Sequence, residues 1–110
     1  MNETTWHTPA DAFDWGVKAA ASHAFVGMRH GTMRVLLYAP KGVDTQTPHA
    51  QDEVYIVKSG SGVFDKAGER LPFGPGDVIF VEAGVEHRFC DFTDDFAAWA
   101  IFWGPEGGER

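Results

Sequence analysis

Three side chains in this sequence could together hold a metal ion. His49 and Glu53 lie in the stretch TPHAQDEVYIVKSG, Thr47 to Gly60, and His87 lies in GDVIFVEAGVEHRFCD, Gly76 to Asp91. Side chains in a strand alternate faces with a period of two, so a strand running from Thr47 puts Thr47, His49, Gln51, Glu53 and Tyr55 on one face. That face carries an imidazole and a carboxylate. A second imidazole, His87 arriving on a neighbouring strand, completes two nitrogens and one oxygen with coordination positions left open. Such a set can bind a divalent metal and admit a substrate beside it.

The elements that must position these groups are mostly strands. Thr8-Pro9-Ala10-Asp11 reads as a helix start, with Thr8 as N-cap, Pro9 at the first helical position and an acid in the first turn; the short helix is expected to end near Gly16. From Ala24 onward, short apolar runs alternate with turn signals such as His30-Gly31, Pro40-Lys41-Gly42, Ser59-Gly60-Ser61-Gly62, Ala67-Gly68 and Gly74-Pro75-Gly76. The expected strands are Phe25 to Met28, Met33 to Tyr38, Glu53 to Ser59, Gly62 to Asp65, Glu69 to Leu71, Asp77 to Val81, His87 to Phe92 and Phe96 to Trp103. No crossover long enough for a parallel sheet intervenes, so the fold class is all-β, a sandwich or barrel with one short N-terminal helix. In the last strand Trp99 and Trp103 share one face and Phe102 takes the other. The tail from Gly104 to Arg110 is expected to fray or drape over the surface.

The chain has 110 residues, enough for one domain with its own core. We expect a single domain over 1–110, with an arm carrying the helix at 1–23, a barrel at 24–103 and the tail at 104–110. A net charge of −7 opposes binding to nucleic acid or to an anionic membrane surface. The single cysteine, Cys90, excludes an intrachain disulfide and a thiolate-rich zinc site, and reads as a buried small hydrophobe in a reducing compartment. With no secretory signal pattern in MNETTWHTPA and no apolar run long enough to span a bilayer, the expected location is the cytoplasm.

These residues resemble the cupin superfamily, whose two motifs run G-x5-H-x-H-x3/4-E-x6-G and G-x5-P-x-G-x2-H-x3-N. Here His49-x3-Glu53-x6-Gly60 keeps the second histidine, the glutamate and the closing glycine of the first motif, while Thr47 stands at the first histidine position. Gly76-x5-Glu82-x-Gly84-x2-His87-x3-Asp91 keeps both glycines and the histidine of the second, with Glu82 in place of proline and Asp91 in place of asparagine. The tract from Thr47 through DDFAAWAIFWGPEGG also looks like a group of small single-domain bacterial cupins without a settled activity. The resemblance implies a double-stranded β-helix jelly roll, a metal in the barrel, a small-molecule ligand and a homodimer.

The resemblance supplies three histidines and a glutamate where this chain offers two histidines and a glutamate. A threonine hydroxyl is a poor ligand, so Thr47 is expected to hydrogen-bond water or to leave a position for an exogenous ligand. Gln51 is expected to approach that vacancy, and Tyr55 to orient substrate through its hydroxyl. Two imidazoles and one carboxylate are associated with iron(II) that activates dioxygen or chelates substrate, so iron(II) is the first expectation, with manganese, nickel and zinc behind it. Three functions stay open: a dioxygenase-like metalloenzyme, a non-catalytic module that binds a metabolite or metal, and a metal-free isomerase or epimerase using His49 or His87 as base. Asp52, opposite in parity to Glu53, reads as a solvated or interface carboxylate. Nothing in the sequence forms a serine triad or a nucleophile elbow.

Overall fold

The computed structural model describes residues 6–110, so the first five residues of the expected arm lie outside it. One helix, α1 (Ala10–Ala19), precedes eight strands: β1 (Ala24–His30), β2 (Met33–Tyr38), β3 (Asp52–Ser59), β4 (Gly62–Lys66), β5 (Glu69–Phe73), β6 (Val78–Val81), β7 (His87–Cys90) and β8 (Ala97–Trp103). They form a five-stranded sheet in the order β1-β2-β8-β3-β6 and a three-stranded sheet in the order β5-β4-β7. Every pairing is antiparallel. The sheets face each other without closing into one ladder, as a jelly roll does.

Alternation along β3 and β8 builds the wall that faces the other sheet. Glu53, Tyr55 and Val57 of β3 are buried, as are Ala98, Ala100 and Phe102 of β8, and the register sets Glu53 opposite Phe102 and Tyr55 opposite Ala100. Trp99 turns to the opposite face and packs on α1, its ring meeting Phe13 edge-on at 4.8 Å. At one end of the interior Phe64, Phe73, Phe89 and Phe96 fill the space with ring centroids 4.6–5.3 Å apart. Aromatic pairs at this spacing add about 0.5–1.5 kcal/mol beyond the apolar area they bury.

The helix departs from expectation at both ends. Pro9, not Thr8, occupies the N-cap, and no side chain caps it. The Thr8 hydroxyl instead donates to the Gly27 carbonyl at 2.7 Å, tying the arm to β1. Nor does Gly16 end the helix, which runs on to Ala19. A Cβ at Gly16 would lie 2.2 Å from the Phe25 ring, and one at Gly27 would lie 2.3 Å from the Phe13 ring. Each glycine is the floor on which the other element's phenylalanine rests, and this packing outweighs glycine's weak helix propensity. The tail is pinned as well: Gly107 N–H donates to the Ala50 carbonyl at 2.7 Å and Glu109 N–H to Asp52 at 2.9 Å. Among the described residues no helix is long and apolar enough to cross a membrane.

Candidate metal centre

Asp52 fixes the start of β3. Its carboxylate, expected to be solvated or at an interface, is buried within the chain and accepts the Ala83 and Glu109 backbone N–H groups at 2.9 Å each. Those two bonds hold its pKa below the ordinary carboxylate value. With Asp52 anchored outward, the next residue, Glu53, must turn inward. His49 comes from the loop before β3, where its carbonyl accepts the Gly84 N–H at 2.7 Å. Gly84 sits at φ +83, a conformation that favours glycine, so the second motif's glycine steadies the first motif's histidine. His87 opens β7, which belongs to the three-stranded sheet, so the second imidazole reaches Glu53 from the opposite sheet and not from a neighbouring strand.

The three groups converge. Glu53 Oε1 lies 3.2 Å from His49 Nε2 and 3.5 Å from His87 Nε2, and the three potential ligand atoms fall within 4.8 Å of one another. Gln46 joins them, its Oε1 3.1 Å from His87 Nε2, 3.3 Å from His49 Nε2 and 2.8 Å from the Tyr55 hydroxyl. Tyr55 Oη is also 3.1 Å from His87 Nε2.

Counting protons shows that the cluster is short of donors. His87 Nδ1 is 2.9 Å from the Val85 carbonyl, which can only accept, so the proton of a neutral His87 sits on Nδ1 and its Nε2 presents a lone pair. The lone pairs of His87 Nε2, Gln46 Oε1 and Glu53 Oε1 then share at most two protons, one from Tyr55 and one from His49. One acceptor is left over, and among the described residues Glu53 Oε1 is the one buried side-chain nitrogen or oxygen without a hydrogen-bond partner. A buried, unpaired carboxylate oxygen flanked by two imidazole nitrogens is the environment a cation satisfies, so the donor set fits a divalent metal.

The titration shifts follow from the same crowding. Burial alone would raise the Glu53 pKa, yet the polar and charge attraction of His49 and His87 outweighs it and leaves the carboxyl below its ordinary value. Burial alone would lower His87, but Glu53, the Val85 carbonyl and the negative charge of Asp44 outweigh it and raise the imidazole. Tyr55 is pushed well above its ordinary value by burial first and by the Glu53 charge second, so it stays protonated.

Of the expected site residues, Tyr55 is in place and buried, with its hydroxyl in the cluster. Gln51 is not: its amide accepts from Arg34 at 3.0 Å and donates to the Thr32 and Gly104 carbonyls at 3.0 and 2.9 Å. Thr47 is exposed, at the edge of an outer groove. The period of two fails for both because the chain before Asp52 is loop. The position they were expected to fill is taken by Gln46, which the period-two reading passed over. Asp44, 3% exposed, holds Gln46 there. Cys90 is half-buried and lines the same outer groove instead of the core.

The cluster opens on a cavity of about 130 Å³ whose apolar walls include Ala24, Leu36, Ala100 and Phe102. Outside it lies a groove of about 550 Å³ edged by Thr47, Arg70, Glu86 and Arg88, and Gln46 borders both spaces. A separate depression of about 460 Å³ beside α1, edged by Asp14, Lys18, Lys58 and Asp95, holds none of these groups.

A family profile described as a cupin domain matches residues 34–102. An uncharacterized protein of Streptomyces coelicolor is 40% identical over 81 residues, spanning 72% of this chain and 77% of that protein. The acireductone dioxygenase of Rhodopseudomonas palustris is 47% identical over 45 residues, which cover 37% of this chain and 27% of the enzyme. Among solved structures, KdgF from Halomonas sp. superposes with a TM-score of 0.65 at 16% identity, over 76% of this chain and 80% of that one. At that identity the likeness concerns the fold.

Proposed function

This chain belongs to the cupin family, and on that footing we propose that it binds one divalent metal through His49, Glu53 and His87 and acts with it on a small, oxygen-rich organic molecule. The observation that carries this reading is Glu53 Oε1, buried, charged and unpaired between two imidazole nitrogens. Iron(II) is the first candidate, with manganese, nickel and zinc behind it. Bound there, the metal would supply Lewis acidity and, if iron, redox chemistry toward dioxygen.

The chain's own residues do the rest. Tyr55, held protonated, donates a hydrogen bond into the site and does not serve as a base at neutral pH. Phe102, Leu36 and Ala100 give the cavity apolar walls beside the reacting end, and Phe102 braces the His49 ring edge-on at 4.8 Å. A cavity of about 130 Å³ equals roughly four water volumes, so it admits only the reacting end of a ligand or a very small molecule. Any remainder would extend into the outer groove past Gln46.

A dioxygenase is the leading reaction. The segment similar to acireductone dioxygenase supports it, although the chain spans only 27% of that enzyme, and 33% of the Drosophila melanogaster one. The test is elemental analysis of tag-free protein purified without chelator, beside His49→Ala, Glu53→Ala and His87→Ala. Near-stoichiometric metal in the parent and none in the three variants is the expected result, followed by oxygen uptake with candidate diketones, thiols or phenols. No metal after anaerobic loading with iron(II) would discard the metalloenzyme and leave a metal-free binding or isomerase pocket.

A further inference from the structure

Asp44 is a buried carboxylate that the proposed chemistry does not use, and all its hydrogen bonds serve to hold something else. Its Oδ1 accepts the Tyr38 hydroxyl at 2.5 Å and the Gln46 backbone N–H at 3.0 Å; its Oδ2 accepts the Gln46 side-chain Nε2 at 2.5 Å and the Phe89 N–H at 2.8 Å. A carboxylate can only accept, so the Gln46 amide has one allowed orientation: nitrogen toward Asp44, oxygen toward the metal cluster. Turning the amide over would set a carbonyl oxygen against a carboxylate oxygen.

The oxygen so aimed is placed like a ligand. Four atoms, His49 Nε2, His87 Nε2, Glu53 Oε1 and Gln46 Oε1, give neighbouring separations of 3.1, 3.2, 3.3 and 3.5 Å. For metal–ligand bonds of about 2.0–2.2 Å, ligand atoms at right angles stand about 3.0 Å apart and tetrahedral ones about 3.4 Å apart. Both Gln46 contacts fall in that interval, as does the 3.2 Å contact of the carboxylate with His49, while its 3.5 Å contact with His87 lies just beyond it. A purely structural Gln46 would need one donor for its oxygen. The cluster has two protons to give, from Tyr55 and from His49, for three acceptors, Gln46 Oε1, His87 Nε2 and Glu53 Oε1, so Gln46 competes for its donor.

We propose that Gln46 Oε1 is a fourth protein ligand to the metal and that Asp44 is the positioning residue that aims it. The inference rests on the reading of His49, Glu53 and His87 as metal ligands. It gives the site two nitrogens and two oxygens, one of them a neutral carbonyl that adds no charge. Carbonyl oxygen suits manganese and other oxygen-preferring ions better than it suits soft metals, so the fourth donor moves selectivity away from copper(I) and thiolate-type zinc sites.

The experiment is an equilibrium titration with cobalt(II), whose visible absorption reports coordination, combined with chelator competition for the dissociation constant. Parent, Gln46→Ala, Gln46→Glu, Asp44→Asn and the double variant Asp44→Asn/Gln46→Ala are compared with His49→Ala, Glu53→Ala and His87→Ala. Gln46→Ala is expected to weaken binding about 10- to 100-fold, the size of effect seen when groups supporting a metal are removed, and to change the cobalt bands. Gln46→Glu, nearly the same shape with a charged oxygen, is expected to bind more tightly than Gln46→Ala and to carry the test if the alanine variant does not fold. Asp44→Asn should weaken binding in the parent and have no further effect when Gln46 is already alanine. Parent-like affinity and bands in Gln46→Ala, with binding lost in the His49, Glu53 and His87 variants, would overturn the Gln46 assignment and leave the three-residue site standing. A parent that does not bind cobalt(II) would sink both.

Discussion

Replacing Glu53 by glutamine changes one charge and one donor while keeping the shape, and in the metal-free protein it should stabilise the fold at alkaline pH. With both imidazoles neutral, Glu53 Oε1 is buried without a hydrogen-bond partner, 3.2 Å from His49 Nε2 and 3.5 Å from His87 Nε2. Leaving such an acceptor unpaired costs about 1–3 kcal/mol. An amide nitrogen in its place can donate to His87 Nε2 or to Gln46 Oε1. Chelator-treated Glu53→Gln is therefore expected to exceed the parent by about 1–3 kcal/mol at pH near 8.5, which at a chain of this length is about 4 °C in Tm per kcal/mol. The sign reverses on acidification. The His87 pKa is raised above 6.5 in the fold, so the stability its charge contributes is fully present below that value and is lost as pH rises through the folded pKa. The Glu53 pKa is lowered below 4.5, so its contribution is present above that value and is lost only as pH falls through the folded pKa. Between the two, near pH 5.5–6, the parent keeps an ion pair that the amide lacks, and the parent should be the more stable. Added metal favours the parent alone, by about 2.7 kcal/mol at a hundred times Kd. Urea and thermal denaturation with chelator at pH 6 and 8.5, repeated with metal, measure all three arms. A variant more than about 1 kcal/mol weaker than the parent at pH 8.5 in chelator would refute the donor count, because Glu53 would then be a satisfied structural acceptor.

Proton competition sets a second expectation: because the His87 pKa is raised from 6.5, apparent metal affinity should weaken as pH is lowered, with an onset above pH 6.5 and a slope approaching about tenfold per pH unit for each proton displaced, whereas a flat profile from pH 8.5 to 6 would exclude His87 as a ligand. Gly27→Val places methyl groups where a Cβ alone already lies 2.3 Å from the Phe13 ring, so the urea midpoint should fall by the equivalent of about 1–3 kcal/mol with metal affinity unchanged; an unchanged midpoint would mean that α1 shifts freely on β1. Asp52→Ala removes the acceptor of the Ala83 and Glu109 N–H groups, so carboxypeptidase should trim the residues after Gly104 faster than in the parent, and an equal rate would show that the tail is held by other contacts.

The strands were legible because Gly and Pro turn signals cut the sequence into runs whose inward residues alternate, and the eight expected strands all form with no end moved by more than two residues. Reading the helix by propensity stopped it at Gly16, since nothing local reveals that Phe25 will need a side chain-free surface there. At the site, the spacing of His49, Glu53 and His87 identified groups that the fold does bring together. The period-two argument then placed Tyr55 correctly and misplaced Thr47 and Gln51, because it presumed a strand that begins only at Asp52. Gln46 and Asp44 depend on a loop conformation set by hydrogen bonds from β2 and β7, which no periodicity encodes. One local signal was available: Asp44 accepting the N–H two residues on is the turn that aspartate favours, and it points residue 46 back toward its own carboxylate.

The interior is divided along its length, and that division explains why a chain this small can afford a site at all. One end is solid, with Phe64, Phe73, Phe89 and Phe96 in mutual contact and Tyr55 resting on Phe64 and Phe89 at 5.9 and 4.8 Å. At the other end small residues on β1 and β8, Ala24 and Ala100, decline to fill the space, and the two sheets are joined there by polar groups instead. Asp44 connects Tyr38 of β2 with Phe89 of β7, and Gln46 connects Tyr55 of β3 with His87 of β7. Tyr55 belongs to both halves, its ring in the aromatic stack and its hydroxyl among the ligand atoms. A metal bound by Glu53 and His87 would therefore cross-link the two sheets where no backbone ladder does, so its binding energy appears directly as resistance to their separation. The aromatic end keeps the apo fold together, which lets the polar end carry an unpaired carboxylate that would be a liability in a uniformly packed core.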